Sequence, residues 1–171
     1  MLKKCIWLAA IAVLVISQFF GTPAVAAELD EATRTIKLNE QGDTVVLSLE
    51  QVSRGRKQFN YACSICHNGG ITRTNPTVGL DPASLAGALP PRNNLQALVD
   101  YLENPTTYDG LIEISQLHPS KKSSDIYPKM RSLTEEDLVA ISGHILLQPK
   151  VIGPLWGGGK STYSAPGFGE T

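Results

Sequence analysis

A nearly unbroken apolar run fills positions 6–20, with only Ser17 and Gln18 interrupting it. Lys3 and Lys4 precede it, and Ala24-Val25-Ala26 follows as a small-x-small site. That order is the pattern of an export signal. The rival reading is a retained membrane anchor, but the run is shorter than the roughly 20 residues a spanning helix needs. No later apolar stretch reads as long enough to cross a bilayer. Residues 1–26 are therefore expected to be a cleaved signal.

Beyond the signal the pattern changes. Thr35 to Leu38 and Thr44 to Leu49 alternate in part and carry β-branched residues, with turn formers from Asn39 to Asp43 between them. This predicts a short β-hairpin. Ser48 with Gln51 three residues on has the form of a capping box. It opens a helix through "LEQVSRGRKQFNYAC", with Val52 and Phe59 on its apolar flank. Gly55 weakens that helix but allows close packing against another. The stretch from 68 to 91 is rich in Gly, Pro, Asn and Thr and reads as an irregular loop, with one helical turn near Asp81 to Leu85. In "RNNLQALVDYLENP", Leu95, Leu98, Val99 and Leu102 fall at i, i+3, i+4 and i+7, with Asn93 or Asn94 as cap and Pro105 as stop. Thr134, followed by acidic residues 135 to 137, starts a last helix that Pro149 is expected to close. Positions 106–132 show no clear period. The Gly-rich end, 157–171, reads as a flexible tail.

Composition refines this outline. Cleavage after Ala26 leaves 145 residues with 13 basic and 16 acidic side chains, a net charge of −3. That length suits one domain, 27–156 plus the tail. A mildly acidic chain is a poor partner for nucleic acid, which needs clustered Lys and Arg. Cys5 leaves with the signal, so the exported chain keeps only Cys63 and Cys66.

Those two cysteines stand in "YACSICHNGG", directly before His67. C-x-x-C-H is the attachment pattern of c-type haem. Residues i and i+3 lie about one helical turn apart, so both sulfurs can reach one edge of a porphyrin and form thioethers. His67 is then carried beneath the iron as proximal ligand. A thioredoxin-like pair would want a preceding strand, and the helical signal lies there instead. Structural zinc would need two more ligands at tight spacing, and His118 and His144 are far away in sequence.

The second axial position is expected to hold Met130, His118 or His144, or nothing. Met130 would raise the potential or simply fill core space. His144 shares a helix face with Asp137 and Ala140, away from Leu138, Ile141 and Ile145, and reads as hydrogen-bonded or partly solvated. His118 precedes Pro119, which restricts its backbone to extended conformations and could hold the ring at a fixed angle. From the residues alone, His118 and Met130 both remain open.

The stretches "FNYACSICHNGGITRTNP", "PPRNNLQALVDYLENPTTYDG", "HPSKKSSDIYPKMRSLTEEDLVAISGHILLQPK" and "WGGGK" together resemble the cytochrome c-550 family. These are extrinsic lumenal haem subunits of photosystem II in cyanobacteria and some algae. The resemblance spans nearly the whole exported chain. It implies a mainly α, c-type cytochrome fold with one covalent haem c. Cys63 and Cys66 match the thioether cysteines, and His67 and His118 match the axial ligands, leaving Met130 to packing. It further implies a low-potential haem in a non-enzymatic subunit, peripheral on the lumenal side of the thylakoid membrane. There it would stabilise the oxygen-evolving manganese–calcium cluster and its chloride and calcium requirement. The implied partners are the photosystem II core, the manganese-stabilising extrinsic protein and a 12-kDa extrinsic protein. The competing expectation is a soluble lumenal electron carrier. The chain departs from the family in its extra "STYSAPGFGET". Some cyanobacteria carry a second, divergent copy of this cytochrome, and the extension bears on which copy this is.

Overall fold

A computed structural model describes residues 29–158. The expected signal at 1–26 and most of the tail, 159–171, lie outside the described residues.

The hairpin forms as predicted but shorter. Strand β1 (Thr35–Lys37) pairs antiparallel with β2 (Thr44–Val46), in a register that sets Ile36 against Val45. A single helical turn, α1 (Glu31–Arg34), precedes it. That turn has no apolar period, and only its cap marks it: the Asp30 side chain accepts from the Thr33 amide. The Arg34 guanidinium donates to the Leu29 and Leu47 carbonyls and ties both ends of the hairpin together.

Helix α2 (Leu49–Ala62) starts on the capping box at Ser48 and Gln51, with both reciprocal bonds made. It ends at Cys63, and α3 (Ser64–His67) follows at once. Helix α4 (Pro82–Ala86) is capped by Asp81, and α5 (Leu95–Glu103) by Asn94. The aperiodic region holds α6 (Pro128–Arg131) within an otherwise irregular path. Helix α7 (Glu135–Ile152) carries its own capping box at Thr134 and Asp137. Pro149 does not close α7, contrary to expectation. A proline in the last turn deletes one backbone bond, but the Lys150 ammonium donates to the Thr35 carbonyl and secures the end on the hairpin. Gly153, at φ 57°, ends the helix instead.

α7 is the hub. Its face toward α2 is as covered as its face toward α5, and every residue from Ala140 to Ile145 is buried. Of the two readings of His144, hydrogen-bonded or partly solvated, the structure bears out the first: its Nδ1 lies 3.3 Å from Gln148 Nε2, and the ring is buried because small residues line that side. At Gly55 the two helices come so close that any Cβ would strike the Ala140 carbonyl. Beside this crossing, Asp137 accepts from Arg54 Nε at 2.7 Å and Gln58 Nε2 at 3.0 Å. By length and composition, Glu135–Leu155 could cross a bilayer, at mean hydropathy 1.3 over a window nearly half buried. The sequence reading missed this. Packing on both sides makes it a core helix.

Two apolar clusters result. The larger joins Phe59, Leu85, Leu98, Leu102, Met130, Leu138, Ile141, Ile145 and Trp156. The smaller joins Ile36 and Leu47 of the hairpin to Leu95 and Leu147.

Candidate functional site

A cavity of about 410 Å³ opens beside the larger cluster. Its walls come from the end of α2, from α3, the 68–80 loop, α4, α5 and the 105–119 segment. One side is apolar, with Ala62, Leu80, Leu85, Leu102 and Met130. Polar side chains line the rest, among them Thr72, Asn75, Arg92, Tyr101 and Tyr108.

The C-x-x-C-H segment folds as a single helical turn at the cavity edge. The Cys66 and His67 amides both donate to the Cys63 carbonyl, at 3.1 and 2.9 Å. Both cysteines are free, half-buried and line the cavity. Burial pushes the Cys63 thiol up to about 12, helped by the neighbouring Cys66. The 3₁₀ turn Asn68–Gly70 then reverses the chain, with Gly69 and Gly70 at positive φ. Trp156 lies flat on Gly70, where a Cβ would meet its ring at 2.6 Å. Its Nε1 donates to the Leu80 carbonyl at 2.9 Å, and the Gly157 amide donates to the Gly69 carbonyl at 2.8 Å. The C-terminal end of the described chain thus straps the loop that follows His67.

His118 comes from the aperiodic region and faces His67 across the cavity, with ring centres 6.1 Å apart. Its amide donates to the Ile114 carbonyl at 2.8 Å, and the Ile114 amide to the Pro105 carbonyl at 2.9 Å. Behind it, the buried Ser120 and Ser123 hydroxyls bond each other at 2.9 Å. The Lys121 ammonium donates to the Met130 and Leu133 carbonyls at 3.0 and 2.7 Å. This knot of local bonds, which has no hydrophobic period, fixes His118. Met130 lies in the cavity wall and is buried in the larger cluster. His144 is remote from the cavity lining. It packs on Phe59 and Trp156, with ring centres 4.9 and 5.9 Å away.

The electrostatics suit ligation. Burial lowers the pKa of His67, and it lowers that of His118 to about 4, with His67 beside it adding to the effect. Both rings are therefore neutral at physiological pH, the form in which imidazole binds a metal. Thr72 Oγ1 lies 3.2 Å from His67 Nδ1, which leaves Nε2 for the cavity. The buried Nδ1 of His118 has no hydrogen-bond partner among the described residues.

A haem can be tested against these residues. Two imidazoles bound to one ion from opposite sides, with bonds of about 2.0 Å and ring centres about 1.1 Å behind the ligating atom, lie about 6.2 Å apart. The observed 6.1 Å matches. Among the described residues no three or more His, Cys, Asp or Glu side chains are grouped to hold a bare ion. Structural zinc, which needs four ligands, has no such set here. Sequence reasoning missed Arg92 and Tyr101. Arg92 precedes the α5 cap outside the periodic stretch, and Tyr101 sits beside the leucine face without belonging to it.

Known proteins resemble this chain over most of its length. Photosystem II extrinsic protein V of Synechococcus elongatus is 63% identical over 162 residues, covering 95% of this chain and 97% of that protein. The protein of the same name from Porphyra purpurea is 58% identical over 163 residues, covering 95% and 100%. Among solved structures, cytochrome c549 matches with a TM-score of 0.74 and 60% identity, over 75% of this chain and 99% of that one. The PsbV2 cytochrome of Thermosynechococcus elongatus matches less well, with a TM-score of 0.61 and 32% identity over 72% and 87%. The cytochrome c-550 domain model matches residues 27–163, and the chain belongs to that family.

Proposed function

We propose that the cavity holds one haem c, bound by thioethers to Cys63 and Cys66, with His67 and His118 as axial ligands. The observation that carries this is the pair of neutral imidazoles facing each other at 6.1 Å across the cavity. Cytochrome c family membership supports haem c as the group. The haem supplies a one-electron iron centre. The chain's own residues do the rest. The α3 turn presents both sulfurs to one edge, Thr72 orients His67, and the 105–123 segment holds His118. A haem held by both His67 and His118, with Met130 left in the core, would have a low couple, because no methionine would be there to raise it.

On this reading the chain is a photosystem II subunit rather than an enzyme, peripheral to the thylakoid membrane on its lumenal side. The names of its relatives support the association with photosystem II. Residues 1–26 direct export, 27–156 form the cytochrome domain, and 157–171 form the tail. The greater likeness to cytochrome c549 than to PsbV2 supports the main copy rather than the divergent one. Its role is to stabilise the manganese–calcium cluster and its chloride and calcium requirement, alongside the manganese-stabilising and 12-kDa extrinsic proteins. A docked domain over the cluster excludes reductants and bulk water. Exposed Leu111 and Ile112, 82% and 63% accessible, give it apolar surface to bury on docking.

Two measurements test this. Extraction with acidified acetone should leave the red pigment on the polypeptide. The native protein should copurify with oxygen-evolving photosystem II and come off in strong salt or alkaline Tris, with oxygen evolution falling. Recovery only in the soluble fraction would favour a lumenal electron carrier.

A further inference from the structure

Arg92 is the sole Asp, Glu, Lys or Arg among the described residues lining the cavity. It is 8% exposed. Its Nη2 donates to the Thr106 and Thr107 carbonyls at 3.0 and 2.7 Å and to Thr106 Oγ1 at 3.3 Å. Its guanidinium carbon sits 4.0 Å over the centre of the Tyr101 ring. These contacts fix the side chain but are all with neutral groups. The ion pairs among the described residues, Arg54–Asp137 and Lys122–Glu113, lie elsewhere. Nε and Nη1 of Arg92 make no hydrogen bond among the described residues.

A guanidinium does not shed its proton in a protein, so burial leaves it charged. Here burial opposes the charge and no carboxylate offsets it. A buried cation without a counter-ion is costly. The fold nevertheless holds this one rigidly, with part of its planar fork unpaired in the cavity lining. That fork matches a carboxylate in shape and charge.

We infer that Arg92 anchors a carboxylate of the group bound in the cavity. This rests on the haem reading, because a haem porphyrin carries carboxylate side chains on an otherwise apolar disc. The same pair tunes the iron. Tyr101 packs against both Arg92 and His118, its ring centre 4.0 Å from the guanidinium carbon and 5.0 Å from that imidazole. With Arg92 in place, the anion is neutralised close to the axial ligand. Without it, the anion stands uncompensated and favours ferric iron.

The test uses the haem-loaded protein with Arg92→Gln and Arg92→Lys. Redox-difference infrared spectra read the carboxylate bands, and a titration reads the potential. In Arg92→Gln the carboxylate band shifts, and the reduction equilibrium moves about tenfold toward ferric, about 59 mV for one electron. Arg92→Lys, which keeps the charge and loses the fork, falls between. Should Arg92→Gln not fold, a carboxylate band displaced in Arg92→Lys alone carries the inference. A band unmoved in every variant that folds overturns it, even if the potential changes, since Arg92 would then act through the Tyr101 ring. A wild-type protein that carries no covalent haem overturns the haem reading itself, which is a separate result.

Discussion

His118 is held by backbone and hydroxyl bonds on both sides, so its side chain can be exchanged with little effect on the segment that carries it. His118→Met is expected to keep the pigment and raise the midpoint potential, because methionine ligation favours ferrous iron. His118→Ala is expected to open one axial position, so that reduced protein binds carbon monoxide where the parent does not. Absorption spectra with and without the gas check this. His144 makes a different prediction. Burial holds its pKa down to about 4, with Arg56 adding a smaller repulsion. The unfolded chain takes up a proton near pH 6.5, while the folded protein resists until about 4. Stability from the neutral ring is thus full above 6.5 and is lost as pH falls to 4, on the order of 2–3 kcal/mol. His144→Phe should flatten acid unfolding in that window, as followed by circular dichroism. At this scale the sequence was readable wherever the chemistry is local. Cys63, Cys66 and His67 sit in five consecutive positions, and their spacing alone points to a c-type haem. His118 could be paired with His67 only by resemblance, because the local bonds that aim it carry no period and the two rings lie 51 positions apart in the chain. Arg92 gave no signal, since its meaning depends on the absence of acids around a cavity that only the fold creates.

The α2–α7 contact decides whether the helices hold the site in register. Gly55→Ala would add helix propensity of about 1 kcal/mol. The new methyl, however, meets the Ala140 carbonyl, a backbone atom that cannot swing aside. Forcing the helices apart costs more than propensity returns, so a net loss of about 2 kcal/mol is expected. The melting temperature should fall by roughly 6 °C. A rise would show that the crossing is looser than this geometry. Caps and apolar periods made α2, α5 and α7 readable, together with the hairpin. The end of α7 was not, because Pro149 has a strong local signal that a distant lysine bond overrides. The strap at Trp156 was invisible for the converse reason: it lies in a Gly-rich stretch with no period at all. Trp156→Phe keeps the ring on Gly70 but removes the bond to Leu80, at a cost of about 1 kcal/mol. The same change frees the loop after His67, and broader electron paramagnetic resonance lines from the ferric haem would register it.

At the scale of the whole molecule the site and the core are one object. Leu85, Leu102 and Met130 belong both to the larger apolar cluster and to the cavity wall. A chain that never receives its haem must therefore either keep a 410 Å³ hollow beside its core or collapse around it. At about 24 cal/mol per Å³ of residual cavity, the hollow would cost about 10 kcal/mol. The mouth is open to water, so this is an upper figure. Even half of it rivals the 5–15 kcal/mol that holds a typical domain together. Collapse is no escape, because Arg92, His67 and His118 would be driven into apolar contact without partners. The two helices that meet at Gly55 do not depend on the cavity, and neither does the hairpin on α7. The expected outcome for the Cys63→Ala, Cys66→Ala chain exported without pigment is partial order. Far-ultraviolet dichroism should retain much of the helix signal. Near-ultraviolet signals from Tyr101 and Tyr108 should fade, and a hydrophobic dye should bind. A sharp, cooperative melt at the parent's temperature would mean that the cavity is rigid without its ligand and that the haem is a passenger in this fold.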